Sequence, residues 1–170
     1  MEIELLLKDG DEFDLGGLTS RVIGAPGHTR DSLAFFVPEL KALFPGEAAG
    51  VPLGMKAEEV QVEFLASFED YIVSLDTMIS LKPEIICFGH GYVLTGSDAA
   101  SFLVKSRAET FRYRDLIARY LDDAGGDIDQ AVITMIRKEY DEPGTIRQER
   151  NAYIVNLTAQ VKHIASLMRN

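Results

Sequence analysis

The sequence predicts an α/β (α+β) domain over residues 1–96, followed by a helical appendage over residues 97–170. Three observations carry this prediction. The first third consists of short apolar runs bounded by Gly and Pro, which is typical of strands. An amphipathic helical pattern follows, and a further apolar run comes directly after it, so strand, helix and strand alternate. In the final part of the chain, the apolar residues have the spacing that is typical of helices.

The strands predicted in the first third are short and are separated by turn residues. Asp9-Gly10 is the strongest hairpin signal among those turns, and Pro38 begins another turn. Runs such as AFFV are apolar on both faces, which indicates strands that are buried on both sides. Strands are predicted over residues 3–7, 12–15, 19–24, 32–37 and 41–44.

A single amphipathic helix is predicted over residues 57–81. Its apolar residues recur at steps of three and four, and they are Val60, Phe64, Leu65, Phe68, Ile72, Leu75 and Ile79. Pro83 ends the helix, since proline cannot continue the hydrogen-bond ladder. A short buried strand over residues 84–88 (EIICF) then leads into Gly89-His90-Gly91.

Three helices are predicted after residue 96. The first runs over residues 97–123 and is closed by Gly125-Gly126, a common helix stop. Asp127 caps the second helix, because its side chain can accept a hydrogen bond from a free backbone N–H. The third helix spans residues 148–168.

The charge and composition of the chain exclude several classes of function. The 170 residues include 17 Lys and Arg against 27 Asp and Glu, a formal net charge of −10. So acidic a chain repels phosphate backbones, and it has no local basic patch, which excludes nucleic acid as a partner. A single cysteine, Cys87, excludes an intramolecular disulfide and fits a reducing compartment. With no secretion signal and no apolar run of roughly 18 residues, we expect a cytoplasmic protein without membrane contact.

Two of the three histidines and one carboxylate follow the ends of predicted strands. His28 lies in APGHT, Glu47 in LFPGEAAG and His90 in FGHG. A strand fixes the direction of the residue after it, and flanking glycines leave room for a metal and a substrate. Nitrogen and carboxylate donors of this kind suit zinc, manganese or iron. The alternative is that each histidine is an ordinary turn residue, and spacing alone does not decide between the two.

Four other candidates have simpler structural roles. We expect Cys87 to be a buried apolar residue rather than a nucleophile, because free cysteine packs as a small hydrophobe. Asp31 is expected to cap a turn or to support a neighbouring ligand, and Tyr92 to be a half-buried aromatic residue. His163 is expected on a helix surface. No catalytic residue is assigned.

Three segments of the chain carry a resemblance to a known family. VIGAPGHTRDSLAFF, ALFPGEAAG and EIICFGHG occur in that order, and together they resemble the C-terminal half of the metallo-β-lactamase superfamily, which includes glyoxalase II and related hydrolases. The resemblance covers residues 2–96. It implies half of an αββα sandwich followed by a helical appendage. It also implies that His28 and His90 are ligands of two different metals and that Glu47 is the carboxylate between them.

The sequence departs from the family pattern in two ways. The family's main ligand motif, His-x-His-x-Asp-His, lies upstream of the PGHT segment, whereas no histidine precedes His28, so we expect the N-terminal half of the fold to be missing. Glu47 stands where the family has Asp, and its extra methylene disturbs a bridge between metals about 3.5–4 Å apart. We therefore expect an incomplete site with weak or no metal binding and no activity in this chain alone. Zinc is the expected metal, with iron or manganese as alternatives.

The missing half has a consequence for association. Without it an apolar sheet face is exposed, and soluble proteins cover such faces when they exceed on the order of several hundred Å². We expect a homodimer, or a second chain that supplies the missing half, to cover this face. The substrates of intact relatives are small molecules. Two alternatives stay open, which are a non-catalytic oligomerising module that keeps the fold and a mononuclear iron enzyme similar to persulfide dioxygenases.

Overall fold

The computed structural model describes residues 6–53, 58–146 and 148–169. The chain divides into two compact units, residues 1–109 and residues 110–170. The first unit contains all the described strands and the second is helical.

Eight short strands are described in the first unit, six in one sheet and two in a separate hairpin. Their ranges are β1 (Glu12–Asp14), β2 (Thr19–Gly24), β3 (Leu33–Val37), β4 (Ala42–Phe44), β5 (Val51–Leu53), β6 (Glu59–Gln61), β7 (Ile85–Cys87) and β8 (Val93–Thr95). Most strands have three residues, which is close to the minimum that can pair. The predicted strands 12–15, 19–24, 32–37, 41–44 and 84–88 all have a counterpart in the sheet.

The six-stranded sheet has the order β1-β2-β3-β4-β7-β8. All neighbours are antiparallel except β4 and β7, which are parallel. A parallel pair needs a crossover connection, and the segment between these strands contains the β5-β6 hairpin and helix α1 (Phe68–Ser80). The mixed α/β class predicted from the sequence is therefore confirmed.

One face of this sheet forms the core of the first unit. Phe36 pairs with Leu43, and Leu43 pairs with Ile86, so the three side chains lie in a row on the same face. All three are buried, as is Ala34 two residues before Phe36. A fully buried Leu, Ile or Phe side chain stabilises a fold by roughly 1.5–3 kcal/mol, so this row accounts for much of the cohesion of the sheet.

The predicted helix over residues 57–81 is wrong in its first half. The helix begins only at Phe68, where Ser67 is extended and its Oγ accepts the Asp70 N–H at 3.0 Å. Residues 59–61 form β6 instead and pair with β5. Residues 54–57 lie outside the described part of the chain.

A backbone carbonyl explains why the helix starts late. The Gly27 oxygen accepts the N–H groups of Leu65, Ala66 and Ser67 at 3.0, 2.9 and 3.2 Å. These amides are therefore bound to a distant loop and do not continue a helical ladder. Apolar residues at helical spacing cannot reveal a competitor of this kind, because it belongs to another part of the chain.

The start of the chain and three short strands also differ from the predictions. The predicted strand 3–7 falls mostly on residues 1–5, which lie outside the described residues, and residues 6 and 7 are not in a strand. The strand predicted over residues 12–15 does end at Gly16-Gly17, which joins β1 to β2 and in which both glycines have positive φ. Strands β5, β6 and β8 were not predicted, since three-residue strands leave little periodicity to read.

The helices after residue 96 match the predictions closely. They are α2 (Ser97–Asp123), α3 (Ile128–Met135) and α4 (Arg150–Met168). Asp127 caps α3 as predicted, with its carboxylate accepting the Gln130 N–H at 2.9 Å. A π-helical turn over Ile136–Asp141 extends α3. No helix in the described ranges is long and apolar enough to cross a membrane.

Candidate metal centre

His28, Glu47 and His90 lie just after strands β2, β4 and β7. Because β2 and β4 are both antiparallel to β3, they run in the same direction, and β7 is parallel to β4. The carboxyl ends of these three strands therefore meet at one edge of the sheet. The topology thus places all three predicted ligands at the same edge.

Glu47 and His90 are in direct contact. The His90 Nε2 lies 2.9 Å from the Glu47 Oε1, a hydrogen bond or ion-pair distance. Both side chains are solvent-accessible, His90 the more so. The pair therefore offers one nitrogen and one carboxylate donor that a metal ion from solution could reach.

His28 is held by a backbone carbonyl. Its Nδ1 lies 2.6 Å from the main-chain oxygen of Glu63. A carbonyl oxygen only accepts, so Nδ1 carries the proton and Nε2 keeps the lone pair. Metal-binding histidines are commonly fixed in this way, with the second ring nitrogen donating to a carbonyl or a carboxylate.

The loop that carries His28 is anchored on helix α1. The Ser74 Oγ donates to the Pro26 carbonyl at 2.7 Å. Gly27 has a φ of +128°, and a Cβ at this position would lie 2.4 Å from the Cα of Tyr71. Only glycine therefore allows the loop to approach the helix so closely.

Tyr71 connects the same helix to the loop that carries Glu47. Its side chain is fully buried, and its hydroxyl donates to the Glu47 carbonyl at 3.0 Å. Burial raises the pKa of the Tyr71 phenol, so the hydroxyl keeps its proton and remains a donor. Helix α1 thus fixes the backbone of two ligand loops at once.

Glu63 is a site residue that the sequence did not reveal. Its carboxyl group is buried, the Gln61 Nε2 donates to Oε1 at 2.5 Å, and Oε2 lies 3.9 Å from the His28 Nδ1. Burial raises its pKa, and the Gln61 hydrogen bond offsets part of that rise. The residue fell inside the wrongly predicted half of the helix. The only local signal was its position between Val62 and Phe64, which are both buried.

Glu63 predicts a specific pH dependence of stability. Its pKa in the folded chain lies above the ordinary value of 4.5, so between these two values the folded state binds more protons than the unfolded state. The Glu63 contribution to the free energy of unfolding therefore falls as pH rises through this window and stays lower above it. Urea unfolding of the metal-free wild type and Glu63→Gln at a series of pH values measures this, because the difference between them isolates Glu63. A difference that is constant with pH would contradict the prediction.

The donors present fit part of a metal site. Within the described ranges, no three His, Cys, Asp or Glu side chains form a group that could hold a metal ion by themselves. Glu47 and His90 contact one another, while His28 is fixed separately with Nε2 as its lone-pair nitrogen. The three side chains are thus individually able to bind a metal ion, but they are not gathered around one position.

The remaining candidates occupy ordinary structural positions. Asp31 accepts a hydrogen bond from the Thr29 Oγ1 at 2.8 Å, which is the turn role expected for it. Cys87 is a free cysteine on β7 and is partly exposed rather than fully buried. Tyr92 is partly buried, and His163 lies on α4 in the second unit.

Comparison with known protein families agrees with this geometry. The model of the metallo-beta-lactamase superfamily matches residues 2–90. A metallo-beta-lactamase fold-containing protein of Sulfurisphaera tokodaii is 33% identical over 85 residues, which are 50% of this chain and 31% of that protein. A hydroxyacylglutathione hydrolase of Brucella anthropi is 31% identical over 115 residues, which are 66% of this chain and 44% of that protein. The chain thus spans less than half the length of these relatives.

Solved structures show the same fold at lower sequence identity. A metallo-beta-lactamase family protein from Thermus thermophilus has a TM-score of 0.66 and 19% identity, covering 98% of this chain and 50% of that chain. A beta-lactamase domain protein from Burkholderia ambifaria has a TM-score of 0.68 and 15% identity, covering 96% and 47%. The family model, the relatives and the fold agree with the resemblance drawn from the three sequence segments. The chain belongs to the metallo-beta-lactamase superfamily.

Proposed function

We propose that this chain is the part of a metallo-β-lactamase-fold hydrolase that supplies His28, Glu47 and His90 to the metal centre. One observation supports this above the others: the three donors follow three strands that run in the same direction and end at one edge of the sheet. Nitrogen and carboxylate donors together favour zinc, with iron and manganese as alternatives. A single cysteine excludes an intramolecular disulfide and suits a reducing compartment, so we propose the cytoplasm as its location.

Each of the chain's own site residues would have a separate role at such a centre. His28 would bind through Nε2 because Nδ1 is committed to the Glu63 carbonyl. Glu47 and His90, now hydrogen-bonded to each other, would turn their donor atoms to the ion and give up that bond. A bound zinc ion would supply Lewis-acid polarisation of a substrate carbonyl and of a water molecule. Tyr71 would keep the Glu47 loop in place through its backbone.

We propose that the site is incomplete in this chain. A catalytic zinc usually has three protein ligands in close array, and the described residues offer only one contacting pair beside His28. Glu47 also replaces the shorter Asp that the family resemblance leads one to expect. We therefore propose that the chain alone binds zinc weakly and does not turn substrate over.

Thioesters are the proposed substrate class of the completed domain. One relative is named as a hydroxyacylglutathione hydrolase. Another relative, from Aspergillus fumigatus, is named as an atrochrysone carboxyl ACP thioesterase and is 34% identical over 86 residues. Both names describe hydrolysis of an acyl thioester, and an attacking water with a polarised carbonyl is the chemistry that this reaction needs.

Fusion to an upstream half tests this proposal. The chain alone is expected to show no turnover of a hydroxyacylglutathione thioester above the buffer rate. A fusion that adds the upstream half of the Brucella anthropi relative is expected to gain zinc-dependent turnover that His28→Ala removes. The matched control is His163→Ala, which changes a histidine of the other unit. A folded, zinc-loaded fusion without turnover would contradict the proposal.

A second candidate function, a non-catalytic oligomerising module, is favoured by one observation. The sheet face opposite the core row, here called the open face, carries a cavity of about 300 Å³ that is lined by Phe13, Leu15, Ser20, Phe35, Val37 and Phe44. None of these side chains is charged, and Leu15 and Phe44 are exposed. In a symmetric pair of two acidic chains, such a face would bring no like charges together. We propose a second copy of this chain as its partner, and a chain supplying the upstream half is the other outcome of the test.

A further inference from the structure

Glu63 is the single charged residue among the buried residues of the described chain. The other buried polar residues, Ser20, Ser74, Ser106, Thr110 and Gln160, are neutral. Burying a carboxyl group removes it from water, which opposes folding unless the group is well compensated. A glutamine has nearly the same shape and carries no charge. Stability alone therefore does not explain a glutamate here.

Glu63 lies next to His28, at the edge of the sheet where the predicted ligands are found. Its main-chain oxygen accepts from the His28 Nδ1, and its carboxyl Oε2 lies 3.9 Å from the same nitrogen. One buried acid thus lies beside the ring of His28, the predicted ligand that follows β2. The Gln61 amide, which donates to Oε1, fixes its orientation.

The main-chain carbonyl and the side-chain carboxyl group of Glu63 affect His28 in different ways. The main-chain carbonyl sets the position of the ring proton and would do so with any residue at this position. The side chain adds negative charge behind the ring, which increases electron density at Nε2 and attracts a cation bound there. Only the second effect depends on the identity of the side chain.

We propose that Glu63 is a positioning residue that acts through His28, strengthening its Nε2 as a metal donor and supplying buried negative charge for a bound divalent cation. The proposal rests on the proposed metal-binding function of the strand-end edge. It implies that this acid favours metal binding at the expense of the stability of the metal-free chain. A merely structural acid would have the opposite signature, because its replacement would lower stability and leave metal affinity unchanged.

Zinc titration and thermal unfolding of matched variants separate these roles. Glu63→Gln removes the buried charge, and Glu59→Gln removes the same charge from an exposed residue of β6. Relative to wild type, metal-free Glu63→Gln is expected to melt at the same or a higher temperature, while its zinc dissociation constant rises about 10- to 100-fold. The side-chain 15N shifts of His28 should change in Glu63→Gln alone. Glu59→Gln should match wild type in all three measurements.

Several results would overturn the proposal. A lower melting temperature of Glu63→Gln with an unchanged zinc dissociation constant would assign Glu63 a structural role, and unchanged values in both measurements would assign it none. Glu63→Asp serves as the second variant if Glu63→Gln does not fold, because aspartate keeps the charge but moves it one methylene away from His28. Glu63→Asp must then bind zinc more weakly than wild type. Equal zinc affinity of the two proteins would overturn the proposal. Zinc binding by wild type that His28→Ala abolishes and Glu63→Gln leaves intact would refute this inference alone. No saturable binding by wild type would refute the proposed function as well.

Discussion

Replacing Gly27 with alanine is expected to lower the free energy of unfolding by at least about 3 kcal/mol, because backbone strain and overpacking add at this position. Gly27 has a φ of +128°, which an L side chain rarely adopts. The new Cβ would lie 2.4 Å from the Cα of Tyr71 and 2.5 Å from its backbone N. These are backbone atoms inside a helix, so they cannot move aside as a flexible side chain could. The His28 loop would have to leave the helix.

Urea unfolding of wild type, Gly27→Ala and Gly89→Ala measures this effect. Gly89 also lies in a ligand loop, but its φ is not in the left-handed region and a Cβ there would meet no atom within 4 Å. Gly89→Ala should therefore stay within about 0.5 kcal/mol of wild type. A Gly27→Ala variant as stable as Gly89→Ala would show that helix α1 does not hold the loop as described.

The second large effect concerns the open face. Phe44 is 42% exposed and lines the cavity of that face. If two copies pair through it, Phe44→Glu would bury a carboxylate from each copy in an apolar interface, where unpaired buried charge is strongly unfavourable. We expect wild type to be a dimer at micromolar concentration and Phe44→Glu to be a folded monomer.

Sedimentation velocity with a matched variant tests this expectation. Leu40 is 49% exposed, is also a large apolar residue and does not line the cavity. Leu40→Glu should therefore remain dimeric. A wild-type monomer that is stable and folded would contradict the proposed pairing of two copies and leave the complementary chain as the partner to seek. A dimer that Phe44→Glu does not disrupt would place the interface elsewhere.

Much of the fold follows from local sequence signals. The strand over Thr19–Gly24 and the helix cap at Asp127 were predictable because turn and cap residues mark element ends directly. The helix start at Phe68 was not predictable. The Gly27 carbonyl accepts the N–H groups of residues 65–67, and Gly27 lies far away in the sequence. Local periodicity therefore located the crossover helix but not its beginning.

The candidate site likewise has some features that the sequence predicts and others that it does not. The positions of His28, Glu47 and His90 at strand ends were predictable, because strand ends can be read from the sequence and their residue types suit a metal. That the three ends lie at one edge depends on the direction of β2, β4 and β7, which pairing alone decides. The approach of Glu63 to His28 depends on the loop before α1, which the sequence predicted as helix. The only local signal for this buried acid was its position between the apolar residues Val62 and Phe64.

Zinc binding measured by competition with a chromophoric chelator tests the central claim that the three strand ends form one set of metal ligands. The chain has three histidines, so His28→Ala and His90→Ala can be compared with His163→Ala, which lies in the second unit. We expect wild type and His163→Ala to bind about one zinc ion per chain. The binding free energy should be smaller than the roughly 10–16 kcal/mol of complete structural sites. The other two variants should lose this binding. Equal zinc binding by all four proteins, or none by wild type, would contradict the claim.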